Sequence, residues 1–71
     1  MKIIDCTYKT ARETEELIWE YTDKNYQFAF EQFGNPTFVK YDSKGKVLDS
    51  VSFIHPYVNL RFSRPGSYYA E

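Results

Sequence analysis

The chain holds one cysteine, Cys6, and one histidine, His55. A thiol beside an imidazole is the minimal nucleophile–base pair of covalent catalysis. Nothing in the sequence brings these two together. Cys6 stands among Ile3, Ile4, Thr7 and Tyr8 and reads as a small buried hydrophobe of a first strand. His55 precedes Pro56 and reads as a loop residue at a strand end. One cysteine and one histidine fall short of the ligand sets that hold zinc, and they exclude an internal disulfide. The remaining candidates are carboxylates. Glu13, Glu16, Glu20 and Asp23 share one helix face by i, i+3, i+4 spacing. Such groups transfer protons or bind divalent ions, but partial burial is what tunes a carboxyl pKa for that work. A charged helix face offers none, so the row reads as an acidic solvent face. The three glycines, at 34, 45 and 66, are isolated and make no phosphate-binding loop. The expectation is a protein that is not an enzyme and uses no cofactor and no metal. A small enzyme using Cys6 is the last alternative.

Residues suited to recognition stand out more clearly. Trp19 lies about 140° around the helix from the centre of its apolar stripe. It has two readings. Either it is an exposed anchor beside Glu16, Glu20 and Asp23, or it folds over a sheet edge or under the C-terminal tail. Tyr57, Asn59 and Arg61 alternate along a last strand, and Arg64, Tyr68 and Tyr69 follow. Tyr, Trp and Arg are the residue types enriched at binding hot spots. The competing reading packs Tyr57 along the sheet and lays the tail tyrosines over the core edge. The candidate partner-binding set is Trp19, Glu16, Glu20, Tyr57, Asn59, Arg61, Arg64, Tyr68 and Tyr69.

These observations support a non-catalytic protein-interaction module: a small adaptor, inhibitor or regulatory protein with a protein partner. A homodimer fits the same features. The alternative is single-stranded nucleic-acid binding through the Tyr57/Arg61/Arg64 strand face, since aromatic side chains stack on bases. Charge works against it. The chain has 9 Lys+Arg and 10 Asp+Glu, a net charge of −1. Residues 1–35 carry four basic and seven acidic residues, and residues 36–71 carry five and three. The helical half is acidic and the rest mildly basic, an asymmetry that can steer docking to an oppositely charged partner.

The elements that must position these residues follow from the pattern. Residues 2–8 read as a first strand. Thr10-Ala11-Arg12-Glu13 fits a capping box. Ala11, Thr14, Leu17, Ile18 and Tyr21 then form a helical stripe that ends at Asp23-Lys24-Asn25. Tyr26, Phe28 and Phe30 alternate with polar or small residues as a half-buried strand, preferred over a helix continued to Phe33. Gly34-Asn35-Pro36 reads as a turn. Residues 37–42 and 46–54 form a hairpin, whose Asp42-Ser43-Lys44-Gly45 loop suits a type I turn with a left-handed glycine. Val47, Asp49, Val51 and Phe53 share one of its faces. Residues 57–62 read as a final strand and 63–71 as an irregular tail. The fold expected is α+β: one small domain over 1–71, with an N-terminal helix packed on a four- to five-stranded, mainly antiparallel sheet in the order β-α-β-β-β-β. One helix covers one sheet face and leaves the other to water or a partner. No run approaches the roughly 20 apolar residues of a membrane span. Asp5 interrupts what would be a signal peptide's apolar region. A cytoplasmic protein with no membrane association is the expectation. Fourteen aromatics in 71 residues exceed what so small a core needs.

Overall fold

The computed structural model describes residues 2–64. Five elements follow in order: β1 (Lys2–Asp5), α1 (Ala11–Asp23), β2 (Gln27–Gln32), β3 (Asn35–Tyr41) and β4 (Val47–Ile54). The sheet order is β1-β4-β3-β2. β2, β3 and β4 form an antiparallel meander, and β1 lies parallel to β4. The helix explains this arrangement. Thirteen residues span about 20 Å, enough to carry the chain from β1 at one edge to β2 at the other. The meander then returns, and β4 meets β1. The fold is α+β, one helix on a mixed and mainly antiparallel sheet.

Both helix ends are fixed by local chemistry. Thr10 Oγ1 accepts from the Glu13 amide at 3.1 Å, and a Glu13 carboxylate oxygen accepts from the Thr10 amide at 3.0 Å. This reciprocal cap satisfies two helix-end donors. At the other end Asn25 takes φ 72°. The Tyr26 amide donates to Tyr21 O and the Asn25 amide to Thr22 O. This bond pair is a Schellman motif with Asn in the left-handed position. The β3–β4 loop matches its expected form: Gly45 has φ 84°, and Asp42 and Lys46 close the hairpin through Asp42 N to Lys46 O.

The core forms between the helix and one sheet face. It contains Cys6, Ile18, Trp19, Phe38, Val51 and Phe53, with Ile4, Leu17, Tyr21, Leu60 and Phe62 packed against it. Phe38 meets Phe53 and Phe62 edge to face, and Phe62 stacks on Phe28. Such pairs contribute about 0.5–1.5 kcal/mol each beyond area burial.

Several expectations are corrected. The first strand ends at Asp5, whose carboxylate caps a turn by accepting from the Thr7 amide and hydroxyl. The first turn of the meander is Phe33-Gly34, and Asn35 and Pro36 already belong to β3. Bulges interrupt β2 between Phe28 and Phe30 and the β3–β4 pairing at Lys40/Tyr41. Each bulge inserts a residue and reverses the alternation. Phe28 therefore faces the helix layer beside Phe38, whereas Phe30 pairs with Thr37 on the other face. Val47 likewise leaves the Val51–Phe53 face and is exposed. The fifth strand over 57–62 does not form, so the order is β-α-β-β-β. β4 already has a neighbour on each side, Pro56 lacks an amide donor, and Asn59 at φ 60° breaks the extended run. Residues 57–64 instead return across the helix as an irregular strap.

Candidate functional site

The strap accounts for most of the candidate residues. Trp19 is 2 % exposed. Its indole N–H donates to Arg61 O at 3.0 Å, and the Arg12 and Arg64 guanidiniums lie 5.2 and 5.6 Å from its ring centroid. The exposed-anchor reading is therefore corrected: Trp19 is a core residue sealed under residues 61–64. Four residues earlier on the same helix ridge, Glu15 accepts from the Arg61 amide at 2.9 Å. Four residues later, Asp23 pairs with Arg64 at 2.7 Å. The ridge Glu15, Trp19, Asp23 is the strap's track. Glu15 was missed because it lies outside the acidic row; its i, i+4 relation to Trp19 is the signal that could have found it.

The acidic row does not act as a unit. Glu13 serves the cap, Glu16 pairs with Arg12 at 3.4 Å across an exposed helix turn, and Asp23 holds the strap. Glu20 is exposed. Tyr57 turns inward at its tip, where its hydroxyl donates to Lys9 O. The strand face assumed for Tyr57, Asn59, Arg61 and Arg64 is absent: Tyr57 and Asn59 line one groove, while Arg61 and Arg64 lie over Trp19. Arg61 is tied through its backbone and Arg64 through its guanidinium. Tyr68 and Tyr69 lie outside the described residues.

The fold brings the backbone of Cys6 beside His55: the Cys6 amide donates to Ile54 O at 2.7 Å. Cys6 is fully buried, and burial pushes its thiol up from the usual 9.0, with a smaller opposing effect from Thr14. At neutral pH that leaves a thiol and not the thiolate nucleophile. His55 accepts at Nδ1 from the Tyr57 amide at 3.0 Å, and its own amide donates to Asn35. Burial holds its pKa below 6.5, outweighing the Glu31 charge. Among the described residues no three His, Cys, Asp or Glu side chains gather as a metal site would require. No described helix is long and apolar enough to cross a membrane.

Two surface features remain. The first is the sheet face away from the helix. Cross-strand register puts Ile3, Phe30, Thr37, Val39, Tyr41 and Ile54 on it, and the β4 bulge turns Val47 and Leu48 toward the same side. Ile3 is 61 % and Leu48 60 % exposed, and Phe30, Tyr41 and Ile54 are also exposed. The Thr37 and Ser52 hydroxyls bond each other at 2.7 Å near its centre. The smallest Cα extent, 16 Å, accommodates two layers, since packed layers sit about 10 Å apart. The second feature is a groove of about 350 Å³ on the helix side, between the β2–β3 turn and the strap. Glu31, His55, Tyr57, Asn59, Leu60 and Phe62 contribute to it. The Tyr57 ring stacks on His55 with 13° between planes. Beside the groove, Phe33 is 92 % exposed at φ 56°. Comparison of the chain with protein-family models, curated proteins and solved structures yields no match.

Proposed function

We propose that the chain is a non-catalytic protein-binding module, an adaptor, inhibitor or regulatory protein, and that its contact surface is the open sheet face. The observation that carries this reading is the set of exposed apolar side chains sharing that face: Ile3, Phe30, Tyr41, Leu48 and Ile54. Contiguous exposed apolar surface on a small domain marks an interaction site. Asp5, which faces the same side at the β1 edge, has its carboxylate occupied by Thr7. The fitting occupant is therefore an uncharged, apolar surface of another protein.

Size argues for a reversible heterologous contact. Four strands at about 4.8 Å, by six residues at about 3.3 Å, give a face of about 400 Å². Covering it buries about 800 Å² over both partners, below the ~1,200 Å² of stable complexes and in the range of transient ones. We take the setting to be the cytoplasm, where an unpaired Cys6 stays reduced.

The test compares three proteins: wild type, Phe30→Ser/Leu48→Ser, and Glu20→Ala as a control on the opposite surface. A stoichiometric partner bound by wild type and Glu20→Ala, but lost by the sheet-face variant with its circular dichroism unchanged, supports the reading. Equal retention by all three refutes it. A sedimentation mass of two chains for wild type, falling to one for the sheet-face variant, would make the occupant a second copy.

A further inference from the structure

The β2–β3 turn carries an unusual residue. A two-residue hairpin turn with φ positive at both positions is ordinarily built from Asn-Gly or Asp-Gly. Here the pair is Phe33-Gly34, at φ 56° and 81°. The left-handed conformation costs a side-chain-bearing residue about 1–2 kcal/mol. Phe33 recovers none of this by packing, because its ring is almost wholly in water. A strained backbone and a solvated aromatic at one position both oppose stability, and such positions point to binding.

The adjoining groove has a defined chemistry. Its volume of about 350 Å³ is at the small end of ligand sites and suits one long side chain. Leu60 and Phe62 provide apolar wall, and the parallel His55 and Tyr57 rings provide a flat aromatic one. Among the described residues Glu31 is the only charged side chain lining it. Among the described residues the Glu31 carboxylate has no hydrogen bond and no ion pair. Asn59, held at φ 60°, adds a side-chain amide. Val58, 80 % exposed, stands at the rim.

We propose that this groove binds an arginine side chain of an extended segment of another protein, with the guanidinium on Glu31 and an apolar neighbour of the arginine against Phe33 and Val58. Charge selects a cation. The flat ring pair favours a planar guanidinium over an ammonium, because arginine combines carboxylate bonding with stacking. The site goes beyond the sheet-face reading: it lies on the other side of the sheet and can fail or stand independently.

The probe is the blocked peptide acetyl-Gly-Val-Arg-Val-Gly-amide, with its citrulline counterpart as a neutral isostere. Titration is followed by amide chemical shifts of 15N-labelled protein. Saturable shifts at Glu31, Gly34, His55, Val58 and Asn59, with Leu48 and Ile54 unmoved, are expected. A hydrogen bond to a charged partner contributes about 1.5–3 kcal/mol, so citrulline binds about tenfold more weakly or worse. Glu31→Gln, its spectrum otherwise unchanged, loses the preference for arginine. Equal binding of the two peptides, an unaltered preference in Glu31→Gln, or absence of saturable shifts overturns the proposal. So do groove shifts that follow the protein's own concentration, which would make a second copy the occupant.

Discussion

Trp19 offers the sharpest test of how the strap is held, and the substitution to make is Trp19→Phe. Three losses add. The indole N–H bond to Arg61 O is worth about 1 kcal/mol net. Replacing a two-ring side chain that is 2 % exposed leaves a void of roughly 40 Å³, or about 1 kcal/mol at ~24 cal/mol per Å³. Phenylalanine also offers Arg12 and Arg64 a weaker face than indole, for a few tenths of a kcal/mol. The total is about 2–2.5 kcal/mol. A domain of this size has about 3–5 kcal/mol in all, so the variant stays folded at 25 °C with a melting point lowered by about 10–20 °C. Urea and thermal unfolding by far-ultraviolet circular dichroism give the number. Trp19→Ala, at about 3–5 kcal/mol, consumes the whole stability and should be unfolded. Trp19 is the only tryptophan, so emission excited at 295 nm reports on this ring alone in the wild type. It should be blue-shifted and protected from acrylamide. A Trp19→Phe loss below about 0.5 kcal/mol, or freely quenched emission, would refute the sealed-ring account.

Three further outcomes are expected. Phe33→Asn should stabilise the protein by about 1 kcal/mol, because asparagine tolerates the left-handed φ of 56° that phenylalanine does not; urea midpoints check this, and a destabilised variant contradicts it. His55 has its pKa held below 6.5 by burial, so the unfolded chain takes up the proton first on acidification. The contribution is complete above pH 6.5 and is lost as pH falls through the folded value; the urea midpoint should drop between pH 7.5 and pH 5, and less so in His55→Asn. Cys6 is fully buried with its pKa raised, so a thiol reagent should label the native protein about 10²–10³-fold more slowly than the urea-unfolded chain, the factor set by opening; fast native labelling would show an accessible thiolate.

Local chemistry was legible in the sequence and long-range pairing was not. Thr10 and Glu13 announce the helix start because the capping box is a contact between residues three apart. Asp42 to Gly45 announce the hairpin loop for the same reason. The bulges escaped because alternation counts residues, and one inserted residue at Ala29 or Leu48 reverses the count without changing composition. Phe28 and Phe30, read onto one face, therefore part to opposite sides. The run 57–62 alternates as well as any real strand, but a strand needs a vacant edge beside it. β1 fills the place beside β4, and no local pattern could reveal that parallel pairing. Of the candidate site, Trp19 and Arg64 turn their bonding capacity inward, onto Arg61 and Asp23.

That inward turn decides which surface can meet a partner without first being dismantled. A partner that used Trp19 would have to displace residues 61–64, breaking the indole bond to Arg61 O, the Glu15 bond to the Arg61 amide and the Arg64–Asp23 pair together. It would also expose Phe62, which stacks on Phe28 and meets Phe38 edge to face. The sheet face requires no such rearrangement, since Ile3, Phe30, Tyr41, Leu48 and Ile54 are already exposed. The aromatic surplus has thus moved. Trp19, Phe38, Phe53 and Phe62 build the core layer, while Phe30, Phe33 and Tyr41 remain exposed on the sheet face and its neighbouring turn. Substitutions in the strap should change stability and binding together, because the strap closes the core. Substitutions such as Leu48→Ser and Phe30→Ser should change binding with stability shifted by about 0.5 kcal/mol or less. A sheet-face variant that loses its partner only as far as it loses its fold would return the contact surface to the strap.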